Sequence, residues 1–172
     1  LGKGAVKYFT CVSGRTFGSH EDFKTRLQNE VPGLQEVSTL DECDIILLFL
    51  PIVSRAGTNI NEALDKLDEI SVYKPAVLVV LHCTMDPEKV VLDSSKLVNR
   101  ENTLTVDCLF HEDKGLLKCC KNEDAVKTVK EQLKGLQGTK PTNSQSSVFD
   151  LLDCCNIKTL FVDYNPLREE KL

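Results

Sequence analysis

The chain has 172 residues, with 21 Lys and Arg against 26 Asp and Glu and a net charge of −5. At about 150 residues per domain this predicts one compact domain with a short remainder, able to bury roughly 68 to 70% of its unfolded surface without a disulfide framework. An apolar share of 41% and a charged share of 27% exclude a disordered or membrane-spanning chain. The mildly acidic balance, with no Lys/Arg block, excludes a sequence-specific nucleic-acid binder and an anionic-membrane anchor.

Ala5 to Val12 is rich in β-branched and aromatic residues and stops at Ser13-Gly14, which predicts a strand. Ser19 then stands three residues before Asp22, close to a capping box, and Phe23 and Leu27 follow at the spacing that lines one helix face. A helix from about His20 to Glu30 is expected, ended by Val31-Pro32-Gly33. Leu34 to Val37 is a short strand candidate. Ile45 to Leu50 runs without polar alternation, as in a strand covered on both faces of a parallel sheet. After a loop from Pro51 to Gly57, Ile60, Ala63, Leu64 and Leu67 recur at helical spacing until Lys74-Pro75.

Ala76 to Leu81 repeats the buried-strand pattern. Asp86-Pro87 opens a weaker helical stretch to about Val98, and Thr103 to Phe110 supplies another strand. From Glu123 to Leu136, Val126, Val129, Leu133 and Leu136 share a face. Acids lie in the first turn and Lys127, Lys130 and Lys134 later, which matches the helix dipole. Strands alternating with helices at this spacing predict right-handed crossovers and a mostly parallel sheet. The expected fold is α/β, a doubly wound three-layer sandwich of about five strands in flavodoxin-like order, occupying residues 1–137. Residues 138–147 (GTKPTNSQSS) have the composition of a linker. Residues 148–172 form an appendage whose Leu151, Leu152, Leu160 and Phe161 are apolar enough to be expected to pack back on the domain.

Of the eight cysteines, Cys11, Cys43, Cys83 and Cys108 lie in or beside apolar runs, where a free thiol behaves as a small hydrophobe. Cys119-Cys120 and Cys154-Cys155 are adjacent pairs, and neither a C-x-x-C nor a secretory leader is read. Reduced, metal-free cysteines and a cytoplasmic location follow as expectations.

Ligands of open parallel sheets bind beyond the carboxyl ends of the strands. The loop after the first strand, Ser13-Gly14-Arg15-Thr16-Phe17-Gly18-Ser19, brings small residues and an Arg to a helix start, which suits an anion. It lacks the Gly-Lys-Ser/Thr ending of a Walker loop and the GxGxxG fingerprint, and it reads more readily as a flexible β-α turn. After the third strand, Arg55, Gly57, Thr58 and Glu62 lead into the next helix. Glu62 there is either a nucleophile or base, or, with Asn59, half of a capping box. His82-Cys83 and Cys108 with His111 follow the fourth and fifth strands. They bear cleft histidines and buried thiols, or a zinc site that strand alternation opposes, since His82 and Cys83 point to opposite faces.

Tyr8 to Arg15 with Gly18 and His20-Glu21-Asp22, then Asp41 to Leu50 with Gly57-Thr58 and Glu62, resembles the nucleoside 2-deoxyribosyltransferase superfamily, especially its deoxynucleoside 5′-monophosphate N-glycosidases. The similarity spans about Val6 to Leu81; a second similarity, to multigene-family proteins of fishes, implies no activity. The superfamily resemblance implies a glutamate, here Glu62, acting at the anomeric carbon, and a first loop holding sugar and phosphate. Three residues rather than two separate Thr58 from Glu62, and Ala63-Leu64 replaces the glycine that follows the family's glutamate. A one-residue shift turns a helical side chain by about 100°, enough to remove it from a fixed reacting centre.

The residues therefore favour a binding or signalling domain without catalysis. Its ligand is expected at Ser13, Gly14, Arg15, Gly18, Arg55, Gly57, Thr58, His82 and His111, with no cofactor and no metal. Its partner is expected to be a nucleotide or phosphorylated small molecule, or a protein, and homo-oligomerisation is compatible with it. The alternative is an enzyme that cleaves a base–sugar bond with Glu62 as nucleophile.

Overall fold

A computed structural model describes residues 4–52 and 56–138 of the chain. The sequence-predicted linker from residue 139 and the appendage at 148–172 lie outside the described residues. Six strands form one sheet in the order β2-β1-β3-β4-β5-β6. They are β1 (Val6–Val12), β2 (Leu34–Glu36), β3 (Ile45–Ile52), β4 (Ala76–Cys83), β5 (Thr103–His111) and β6 (Gly115–Leu116). The helices are α1 (Ser19–Glu30), α2 (Ala56–Ile70) and α3 (Cys120–Gly138). The fold is α/β with a mostly parallel sheet: β1 pairs in parallel with β2 and β3, β3 with β4, and β4 with β5, while β6 runs antiparallel to β5.

The four long apolar runs are thus neighbouring parallel strands, and the reason is visible along β3. Ile45, Leu47 and Phe49 enter one core with Phe23 and Leu27 of α1 and Val126, Val129 and Leu133 of α3. Ile46, Leu48 and Leu50 enter a second core with Ile60, Ala63 and Leu67 of α2. Neither side of this strand meets water, so no position favours a polar residue. Each such side chain contributes about 1.5 to 3 kcal/mol by leaving solvent.

Several expectations are corrected. Among the described residues the sheet has six strands rather than about five, because Gly115, with φ +69°, turns the chain back into β6, too short at two residues to show a period. The helical stretch expected from Asp86 to Val98 is a single 3₁₀ turn, Ser94–Leu97, capped by the Asp93 carboxylate accepting from Ser95 N–H. Val90 and Leu92 of that stretch stand exposed, so it lacks the buried face that stabilises most helices. Gly138 closes α3 instead of opening the linker.

Helix α1 starts differently from its capping-box reading. Its N-cap is Gly18 in the left-handed region, and no side chain caps it. Ser19 instead donates from Oγ to the Thr16 carbonyl at 2.7 Å, and the Asp22 carboxylate accepts from Leu116 N–H at 3.1 Å, tying α1 to β6. The Asn59–Glu62 capping box also fails, because α2 has already begun at Ala56.

Candidate functional site

In the strand order 2-1-3-4-5 the direction of winding reverses between β1 and β3, and the crevice beyond their carboxyl ends is where open α/β sheets place ligands. β1 and β3 are paired from Tyr8↔Ile45 to Val12↔Phe49. Their following segments therefore emerge side by side, the first carrying Ser13 to Gly18 and the second leading to Gly57 and Thr58 in the first turn of α2. Arg55 lies outside the described residues.

The loop from Ser13 to Gly18 is held in an unusual shape. Gly14 has φ +121°, and a Cβ there would sit 2.8 Å from Pro51 Cγ, so the loop and the end of β3 approach as closely as only glycine permits. Phe17 is left-handed at φ 52°, an uncommon state for a bulky residue and one that clusters at ligand sites. The Arg15 guanidinium lies over the Phe17 ring, 4.7 Å from its centroid, with both side chains exposed. Ser13 is only 2% exposed, and its buried Oγ has no hydrogen-bond partner among the described residues.

Behind this loop, His20 Nδ1 and Thr16 Oγ1 are hydrogen-bonded, and the His20 ring packs 5.8 Å from that of Phe49. Burial pushes the His20 pKa below its ordinary value, and neighbouring Glu21 only partly offsets this. Lys24 is committed elsewhere, at 3.0 and 3.1 Å from the Glu36 carboxylate and 3.1 Å from Glu21. Burial disfavours its charge, but these carboxylates outweigh that and raise its pKa. It thus locks α1 to β2, and Arg15 is the exposed cation of the loop.

Glu62 is exposed in the second turn of α2, about 200° round the helix from buried Ile60. Gly57 is half-buried and Thr58 exposed at the helix start. His82 and His111 belong to other surroundings. His82, opposite Ile52 of β3, lies two strand spacings, about 10 Å, from β1, and its Nε2 is 2.8 Å from Asp107 Oδ1. Asp107 also accepts from Ser94 N–H at 3.0 Å and Ser94 Oγ at 2.5 Å. Because the Asp107 carboxylate sits between Ser94 and His82, the Ser94 hydroxyl is hydrogen-bonded to the carboxylate and not to the imidazole, and the group is not a Ser-His-Asp triad. It fastens the 3₁₀ turn to the sheet.

Burial opposes the Asp107 charge, yet the hydrogen bonds from His82 and Ser94 prevail and hold its pKa below the ordinary 3.8. A depressed carboxyl pKa stabilises the fold above the unfolded value, and that stability is lost as pH falls through the folded value. Asp107→Asn is therefore expected to lower stability by about 2 to 3 kcal/mol near neutral pH, since buried donors lose a charged acceptor. Urea titrations of both proteins should show the gap at full size above pH 3.8 and narrowing below it. A gap independent of pH would mean that the carboxylate charge contributes nothing.

His111 Nδ1 accepts from Asp113 N–H at 3.2 Å. His111, Glu112 and Asp113 have potential ligand atoms within 4.8 Å of one another, whereas His82, Cys83, Cys108 and His111 form no such group among the described residues. No disulfide joins the six described cysteines to one another, and burial raises the Cys108 thiol pKa far above its usual range, which keeps it a protonated core residue. No described helix is long and apolar enough to cross a membrane.

Sequence reasoning missed two polar anchors. Asp107 had a signal, as the only charge inside the run TLTVDCLF. Asn122 had none: it is fully buried, accepting from Leu109 N–H at 2.7 Å and donating to the Leu109 and Leu117 carbonyls, both at 2.8 Å. Compared with known proteins, the chain matches no family model and no curated protein.

Proposed function

We propose that the protein is a cytoplasmic binding domain for a phosphorylated small molecule, a nucleotide being the expected class, and that it binds without catalysing a reaction. The scaffold of this reading is a doubly wound three-layer sandwich of flavodoxin-like order, with the ligand at the β1–β3 switch point. One observation carries it: the uncapped start of α1 faces a loop that combines Arg15 with the buried, unpartnered Ser13 hydroxyl. Ser19 N–H is taken by the Thr16 carbonyl and Glu21 N–H by that of Gly18, so what this helix start, without a capping side chain, offers an anion is the His20 N–H and the positive end of the dipole. Arg15, stacked on Phe17, adds a planar fork of donors suited to phosphate oxygens.

Glu62 does not enter this reading as a nucleophile. It is exposed on α2, opposite the buried helix face, where no low-dielectric pocket would activate it. The test is calorimetry of the full chain with deoxynucleoside monophosphates, ribonucleotides and NAD, alongside chromatography for released base. Binding of at least one phosphate-bearing ligand is expected, weakened about ten- to hundredfold by Arg15→Ala, the effect of losing a charge-assisted hydrogen bond. No base release is expected. Release that disappears in a folded Glu62→Ala variant would establish the glycosidase instead. Absence of all nucleotide binding would leave a protein partner as the ligand.

A further inference from the structure

Among the described residues the sheet is not closed at its β5 side. Phe110 and Asn102 direct their carbonyls to β4, where they accept from Thr84 and Ala76 N–H. Strand alternation therefore turns the main-chain groups of Thr103, Thr105, Asp107 and Leu109 outward. Those of Leu109 are taken by the Asn122 side chain and Leu117 N–H, and β6 pairs only with Phe110 and His111. The edge from Thr103 to Asp107 has no partner strand among the described residues. It also lacks the Lys, Pro or bulge with which proteins usually blunt such an edge.

This edge is the floor of a groove of about 410 Å³ walled by Val91 and Asp93 on one side and Lys121, Asp124, Ala125 and Thr128 of α3 on the other. Val90 and Leu92, beside that first wall, are 88% and 89% exposed. An open edge inside a groove accepts an extended chain as an added strand, with main-chain hydrogen bonds for affinity and the walls for selectivity.

We infer that the occupant is the chain's own run Ile157 to Val162 (IKTLFV), added antiparallel to β5 from Thr103 to Asp107. The run lies outside the described residues, and the inference is independent of the proposed nucleotide site. Its composition is strand-forming, without Gly or Pro. Each of its alternating sets is two-thirds apolar, Ile157 and Phe161 about Thr159 on one and Leu160 and Val162 after Lys158 on the other, which suits an edge flanked on both faces. Its one charge, Lys158, meets a carboxylate on whichever wall it faces, Asp93 on one side or Asp124, next to Lys121, on the other. The tether is long enough: α3 ends beside Pro32, whose carbonyl accepts from Gln137, and residues 139–156 can span up to about 60 Å. The path across the sheet and up the height of β5 needs about 45 Å.

The direction follows from handedness. α1 and α3 pack into the same core, and β1-α1-β2 steps toward the β2 edge. A parallel crossover through α3 toward the opposite edge would have the opposite, left-handed sense, which about 98% of such connections avoid. Tethering raises the local concentration of the run to about the millimolar range, so a modest interface suffices.

The test is amide hydrogen exchange by NMR on the full chain. Thr105 and Asp107 amides are expected to exchange at least tenfold more slowly than open-edge amides. That protection should be lost in Thr159→Pro or Leu160→Pro, one of which must remove an N–H facing β5. Leu104 and Val106 amides face β4 and should stay protected in both variants, which reports an intact sheet. Three results would overturn the inference: fast exchange at Thr105 and Asp107 in the unaltered chain, protection that survives both prolines, or protection that grows with protein concentration and so comes from a second copy.

Discussion

Replacing Asn122 with alanine is expected to lower stability by about 3 to 5 kcal/mol, although the residue touches no candidate ligand position. Its carboxamide occupies the place that a strand residue would take beside Leu109, accepting from the N–H and donating to the C=O, and it spends its remaining donor on the Leu117 carbonyl. Truncation removes the partner of the Leu109 N–H and of the Leu117 C=O and leaves the Leu109 C=O with the Leu117 N–H alone, in a site from which the native side chain excludes water. Each unsatisfied buried group costs about 1 to 3 kcal/mol, and shared relaxation keeps the sum below the arithmetic total. Urea unfolding should show a lower midpoint with little change in slope. Asn122→Asp should be no better, because it keeps one acceptor and sets a carboxylate against two carbonyls. A change under 1 kcal/mol would mean that water replaces the carboxamide and that β6 does not depend on it.

Phe49→Ala should cost about 3 to 5 kcal/mol, the range for emptying a buried aromatic site. Phe49 is on β3, fully buried, with the Phe23 ring 5.7 Å away at 75° and the His20 ring at 5.8 Å. Edge-to-face contacts of this kind add to the burial itself. The same side chain supports α1 through Phe23 and the first loop through His20 and its partner Thr16. Its truncation should therefore also weaken the proposed nucleotide binding severalfold, without removing any group placed at that site. Phe49→Leu keeps most of the volume and should cost under half as much. If Phe49→Ala loses stability but binds with unchanged affinity, the loop's shape does not depend on His20 packing.

The candidate site divides along the same line as these effects. Gly14, Gly18 and Arg15 were legible as small residues beside an Arg between a strand and a helix, a pattern that suits an anion and equally a plain flexible turn. Ser13 was legible as a loop residue but not as a buried hydroxyl, since burial depends on what β3 brings beside it. His82 read as a cleft residue because its partner is twenty-five positions away, and no local pattern joins strands that meet only in the sheet. Glu62 read as half of a capping box because Asn59 precedes it at the right spacing. The helix starts earlier, at Ala56, so the spacing was coincidental.

The sequence by itself determined the four long parallel strands and the two best-marked helices. Their signals are local: an unbroken apolar run needs cover on both faces, and a 3.6-residue period needs one. Val126, Val129 and Leu133 of α3 are buried as their spacing predicts. The tertiary structure alone decided the short β6 and the stretch of β5 that has no partner strand among the described residues. It also decided the use of Asp22, Asp107 and Asn122 as ties between distant elements. A polar side chain has no period of its own, and its value depends on which unpaired main-chain group the fold brings within about 3 Å. The segment expected to be helical between Asp86 and Val98 shows the converse. Its composition permits a helix, but with Val90 and Leu92 exposed no buried face rewards one, and intrinsic propensity is too small to hold a helix on its own.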